Sequence, residues 1–129
     1  MGGDKHRVAL VVDDSMLIRH TVCRFLEQRG FEVQSATNGS EALDLLQNLH
    51  PTLIITDLRM PKMDGHEFIT AVKSDPRTAA IPIVVLAGKQ HDGDPEVRGH
   101  YTISKDIEIE SQLEKALAAT LGIEAGNRA

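Results

Sequence analysis

Short apolar runs of four or five residues recur along the chain, and the segments between them carry apolar residues at helical spacing. Val8-Ala9-Leu10-Val11-Val12, Leu53-Ile54-Ile55-Thr56 and Ile83-Val84-Val85-Leu86 are nearly continuous in apolar character, as strands covered on both faces are. Phe31 to Ala36 alternates instead and suits an edge strand, while Tyr101 to Ser104 reads as a short fifth strand. Ile18, Val22, Phe25 and Leu26 fall on one helical face, with Gly30 as terminator. Ala42, Leu45, Leu46 and Leu49 do the same behind the turn and cap of Thr37-Asn38-Gly39-Ser40. Ile69 and Val72 mark a third helix that Asp75-Pro76 stops, and Leu113, Ala116, Leu117 and Leu121 give the last helix its buried stripe. This alternation predicts an α/β fold, a single doubly wound five-stranded parallel sheet with helices on both faces.

One stretch breaks the rhythm. Residues 88–99 hold three glycines, a proline and one apolar side chain, so the helix between the fourth and fifth strands is predicted to be shortened or absent. The domain is expected to run over 8–123, with tails at 1–7 and 124–129. At 129 residues the chain suits one domain with one core, and no run approaches the ~20 apolar residues of a membrane span. A net charge of -5 with no basic run argues against direct nucleic-acid binding. Cys23 is alone in a helical pattern and reads as a small buried hydrophobe in a reducing compartment. No signal peptide is visible at the start, and the cytoplasm is the expected location.

Chemistry concentrates where strands end. The first apolar run closes on Asp13-Asp14 and the third on Asp57, with Lys105 just past the fifth. Asp14 alone could be a helix N-cap and Asp57 alone a turn residue before Pro61 and Gly65. Together they converge, because ligands of an open parallel sheet bind at the carboxyl ends of its strands near the switch in winding direction. Acidic oxygens with no Arg partner nearby in sequence repel in a shared cleft, and a hard divalent cation, Mg²⁺, is the usual answer. An aspartate can also attack phosphorus to form an acyl phosphate, with metal and lysine neutralising the transferring group. In that scheme Asp57 attacks, Asp13 and Asp14 hold the metal, and Lys105 pairs with a phosphoryl oxygen. No Gly-x-Gly-x-x-Gly or Walker motif follows the first strand, and the six histidines show no ligand spacing for zinc.

Val12-Asp13-Asp14-Ser15, the string from Thr56 through Asp57-Leu58-Arg59-Met60-Pro61-Lys62-Met63-Asp64-Gly65, and Lys105 resemble the bacterial response-regulator receiver domains. The resemblance implies a CheY-like (βα)₅ fold with strand order 2-1-3-4-5 and two-component signal transduction. It implies phosphotransfer to Asp57 from a sensor histidine kinase or phosphotransfer protein, and Mg²⁺ held by Asp14, Asp57 and the backbone carbonyl of Arg59, with Asp13 assisting. The output would be altered binding to a downstream protein or output domain, through a two-state face. No membrane partner is implied, and the domain would act as a phosphoacceptor that catalyses its own phosphotransfer and dephosphorylation, not as a turnover enzyme.

Four departures from the family pattern stand out. Ala87 occupies the usual Ser/Thr position and has no hydroxyl to donate; Asp106 follows Lys105 where proline is usual; Thr102 stands at the switch aromatic with Tyr101 one place early; and the 88–100 segment is short. A non-proline cis bond costs about 2.5 to 4 kcal/mol, so a trans bond and a shifted Lys105 loop are expected, and period two points Tyr101 to the opposite face. The alternative function is a pseudo-receiver, a constitutive protein-docking module without phosphorylation. A phosphatase with Asp57 as nucleophile lacks a second acid, since Arg59 is basic.

Overall fold

Strand formation follows directly from the apolar runs. In the computed structural model, which describes residues 7–60, 63, 65–87, 101–105 and 108–122, they form β1 (Val8–Val12), β3 (Leu53–Asp57) and β4 (Ile83–Ala87), flanked by β2 (Glu32–Ala36) and β5 (Tyr101–Ser104). All five are parallel, in the order β2-β1-β3-β4-β5. Among the described residues the helices are α1 (Met16–Glu27), α2 (Gly39–Leu46), α3 (Gly65–Ser74) and α4 (Ile109–Leu121). The chain winds outward from β1 to β2 and then returns to the other side of β1, placing the switch point between β1 and β3.

Alternation along each strand divides the core into two layers. Ala9, Val11, Leu53, Ile55, Val84, Leu86 and Ile103 face α1 and α4, where they meet Val22, Phe25, Leu26, Leu113 and Leu117. Leu10, Val12, Ile54, Ile83, Val85 and Ala87 face α2 and α3, against Ala42, Leu46, Phe68, Ile69 and Val72. Each fully buried Leu, Ile or Phe contributes about 1.5–3 kcal/mol relative to exposure, so β1, β3 and β4 are fixed in register by both layers. A slip of one residue would exchange the two sets. β2 lies at one edge and exposes Glu32, Gln34 or Ser35 in most of its length, a polar edge that discourages pairing with another chain.

The caps are local and specific. Ser15, not Asp14, caps α1: its Oγ accepts from the Ile18 N–H at 3.3 Å, which leaves Asp14 available for another role. Asn38 caps α2 through the Glu41 N–H at 2.8 Å, and the Glu41 carboxylate reaches back to the Thr37 N–H at 2.8 Å. Gly30, at φ 89°, turns the chain back from α1 into β2. Arg29 stacks over Phe25 at 3.7 Å and pairs with Glu114 at 2.6 Å, tying α1 to α4. Cys23 is half-buried against the α1/α4 layer rather than fully buried, and burial, reinforced by Glu27, pushes its thiol pKa up, consistent with an inert thiol. The predicted shortening of the helix between β4 and β5 and the tails at 1–7 and 124–129 fall on residues outside the described set, apart from Arg7. Among the described residues no helix is long and apolar enough to cross a membrane.

Candidate functional site

Asp13 and Asp14 directly follow β1, and Asp57 is the last residue of β3, so two neighbouring strands deliver three carboxylates to one end of the sheet. One oxygen from each lies within 4.8 Å of the others; Asp13 and Asp57 are buried and Asp14 is exposed. The Asp57 carboxylate is oriented by its own turn, with Oδ1 accepting from the Leu58 N–H at 2.8 Å and from the Arg59 N–H at 3.4 Å. Asp13 Oδ1 accepts from the Ser15 N–H at 2.8 Å. Their Oδ2 atoms face Lys105, whose Nζ lies 3.0 Å from Asp57 and 3.1 Å from Asp13.

Lys105 therefore keeps its ammonium on the acidic pair, while the loop expected to shift continues into residues outside the described set. The ammonium stays there because the β4–β5 ladder continues one residue beyond β5: the Lys105 N–H donates to the Ala87 carbonyl at 3.0 Å, which fixes the lysine backbone before the chain leaves the sheet. The bond to Asp106, expected to be trans, involves a residue outside the described set. Ala87 itself pairs with Ser104 and is buried at the end of β4. Tyr101 does point away from the Thr102 face, packing against the α1/α4 layer with Ile103.

Two buried carboxylates, Asp13 and Asp57, share the Lys105 ammonium in this cluster, with Asp14 exposed beside them. Burial raises the Asp13 pKa above its ordinary value; the Ser15 N–H opposes this, the Asp57 charge adds to it, and Lys105 opposes it. Burial alone would lower the Lys105 pKa, but the hydrogen bond and charge of Asp57, followed by those of Asp13, outweigh it and hold the ammonium above its usual value. Asp13 Oδ2 is buried, and the polar neighbour it faces among the described residues is the ammonium of Lys105, which it shares with Asp57. A buried oxygen in that state, inside a set of hard carboxylate donors with excess negative charge, fits a divalent cation.

Several supports were invisible in the sequence. Arg19 reaches back from α1 to the Asp13 carbonyl at 2.9 Å, so an arginine does stand close by, though on the main chain rather than on a carboxylate. The Gly39 N–H donates to the Met63 carbonyl at 2.9 Å, joining the start of α2 to the loop that follows Asp57. Gly65 abuts that same loop: a Cβ there would sit 2.1 Å from the Asp57 carbonyl oxygen. Only the turn composition around Gly65 hinted at its position.

A doubly wound parallel sheet with an acid pair after β1, an aspartate ending β3 and a lysine after β5 is the architecture of a receiver domain. Residues 9–117 match the family model for the response regulator receiver domain, and the chain belongs to that family of two-component signalling proteins. It is 39% identical over 94 residues to response regulator Rre1 of Synechocystis sp., covering 72% of this chain and 40% of that relative. Chemotaxis response regulator CheY4 of Vibrio cholerae superposes with a TM-score of 0.80 at 33% identity, covering 91% of this chain and all of that one (100%). The receiver domain of a Pseudomonas aeruginosa sensor histidine kinase, solved with magnesium in its active-site cleft, shares the fold at a TM-score of 0.80 and 20% identity, covering 92% of this chain and 100% of that one.

Proposed function

We propose that this domain accepts a phosphoryl group on Asp57 from a histidine kinase or phosphotransfer protein and signals by altered binding to another protein or output domain. The observation that carries the reading is Lys105 Nζ at 3.0 Å from Asp57 Oδ2, because a carboxylate nucleophile beside an ammonium is half of a phosphoryl-transfer site. An oxygen of Asp57 attacks phosphorus, the bond from phosphorus to the donor imidazole nitrogen breaks, and the electron pair leaves with the imidazole. Lys105 holds a phosphoryl oxygen as negative charge accumulates. Asp13, Asp14, Asp57 and the backbone carbonyl of Arg59 would hold Mg²⁺, which neutralises charge on the transferring group. The magnesium in the Pseudomonas aeruginosa receiver domain supports that choice of ion. Hydrolysis of the acyl phosphate returns the domain to its starting state, and the domain turns over no separate substrate.

The missing hydroxyl at Ala87 favours the second reading, a docking module that is never phosphorylated; the assembled carboxylate and lysine geometry weighs against it. Intact-protein mass after incubation with acetyl phosphate and Mg²⁺ separates the two. One added phosphoryl group, lost when EDTA replaces Mg²⁺, is expected. No gain in a protein whose melting temperature still responds to Mg²⁺ would favour the docking module.

Cation binding should depend on pH through Asp13. Its folded-state pKa is raised above 3.8, so the stability it contributes is present below pH 3.8 and is lost as pH rises through the folded value. Above that folded value the ionised side chain therefore destabilises the cation-free fold. Mg²⁺ at about ten times its Kd should add about 1.4 kcal/mol, a rise in Tm of about 5 °C. That rise should shrink as the pH is lowered toward the carboxylate range, because protons compete for the same oxygen. Asp13→Asn should melt higher than wild type without Mg²⁺ and gain less from it. A Mg²⁺ shift that stays constant with pH and survives Asp13→Asn would exclude Asp13 from the cation site.

A further inference from the structure

β5 is the edge strand opposite β2, four residues long and paired on one side to β4. Its last residue, Ser104, presents its N–H and carbonyl to the open side, because the neighbouring Lys105 N–H is the group turned toward Ala87. Among the described residues, the side chain of Gln112 meets that open side. The Gln112 carboxamide accepts from the Ser104 N–H through Oε1 at 3.0 Å and donates from Nε2 to the Ser104 carbonyl at 2.8 Å. Nε2 also lies 3.3 Å from the Glu108 carbonyl at the start of α4. The amide thus imitates a further strand at the residue before Lys105 and closes the connection between β5 and α4.

We propose that Gln112 is the positioning residue for Lys105, holding the end of β5 so that the ammonium stays between Asp57 and Asp13; this rests on the phosphoacceptor reading above. The frame around it is rigid. Leu113, the next residue, is fully buried in the α1/α4 layer, which fixes α4 against the sheet, and the ladder bond to Ala87 holds the other side of the strand. Between these two anchors, the hydrogen bonds that the Gln112 amide exchanges with Ser104 hold the Ser104–Lys105 unit on its open side. The geometry is specific to a primary amide of this length. Glutamate could accept from the Ser104 N–H but could not donate to the two carbonyls, leucine could do neither, and asparagine is one methylene short.

The test uses wild type, Gln112→Leu, Lys105→Ala and the double variant, all at a temperature well below their melting points. Two quantities are read: the initial rate of phosphoryl uptake from acetyl phosphate with Mg²⁺, and the rate at which an N-hydroxysuccinimide acetate ester acetylates Lys105, followed by peptide mass mapping. Exposed Lys115 serves as the internal reference. Gln112→Leu should slow uptake about tenfold or more, as a small misplacement of a charge partner does, and should speed acetylation of Lys105 several-fold relative to Lys115. In the Lys105→Ala background the same change should have no further effect on uptake, since residues acting through one group are not additive. Wild-type uptake in Gln112→Leu, or a slowing that multiplies with Lys105→Ala, would overturn the proposal and leave Gln112 a structural clamp. If wild type takes up no phosphoryl group, the functional reading fails, and the acetylation rate alone decides whether Gln112 positions Lys105: unchanged labelling refutes it, faster labelling upholds it.

Discussion

Asp57→Asn is expected to take up no phosphoryl group from acetyl phosphate under conditions in which the wild-type protein gains one. The substitution preserves shape: the amide oxygen can still accept from the Leu58 N–H, which holds Oδ1 at 2.8 Å, so the turn after β3 stays formed. What disappears is the nucleophile. An amide oxygen carries no full negative charge, and the nitrogen that replaces Oδ2 faces the Lys105 ammonium with donors instead of a lone pair. The variant should remain folded, since Asp57 is buried at the end of a strand whose apolar residues stay in both core layers. Circular dichroism and thermal melting check the fold, and intact mass checks the chemistry. A variant that still gains one phosphoryl group would place the acceptor on another residue and remove the basis for assigning Asp57 that role.

The second large effect is expected at a residue with no functional group. Gly65→Ala would bring a Cβ to 2.1 Å from the Asp57 carbonyl oxygen and 2.6 Å from the Leu58 Cα, and both are backbone atoms that cannot rotate aside. Either α3 must lift off the sheet, where Phe68, Ile69 and Val72 are buried, or the end of β3 must move. Overpacking of a rigid site costs about 1–3 kcal/mol, and a clash confined to backbone belongs at the upper end, corresponding to a fall in Tm of about 10 °C. Because the end that moves carries Asp57, phosphoryl uptake should fall as well. Gly30→Ala is the informative comparison. Gly30 sits at φ 89° with nothing within 4 Å of an added Cβ, so alanine there meets only left-handed backbone strain of about 1–2 kcal/mol, far from the carboxylates. It should melt lower but take up phosphoryl normally. Equal melting temperatures and equal uptake in the two variants would refute the steric account of Gly65.

The strands and helices were legible because continuous apolar runs and helical spacing are local signals, and burial on both faces of a parallel sheet demands them. β5 was predicted at Tyr101 to Ser104 and is found there; the two-layer core follows from alternation within β1, β3 and β4. The carboxylates were legible for a related reason. Residues that end neighbouring parallel strands must meet at one edge of the sheet, so placing Asp13, Asp14 and Asp57 at strand ends already brought them together. The N-cap was harder: Asp14 and Ser15 are both good caps, and only the geometry of the first turn shows that Ser15 takes the Ile18 N–H.

By itself, then, the sequence determined the layer architecture, the strand ends and the identity of the acidic residues, since each of these depends on periodicity or on position within an element. Tertiary structure alone decided where Lys105 points. The ladder bond to Ala87 and the Gln112 amide on Ser104 hold the strand end that carries it. Arg19 on the Asp13 carbonyl, Gly39 on Met63 and the contact of Gly65 with Asp57 belong to the same class. Those contacts join elements far apart in sequence through hydrogen bonds and van der Waals limits, which leave no periodic trace in the chain.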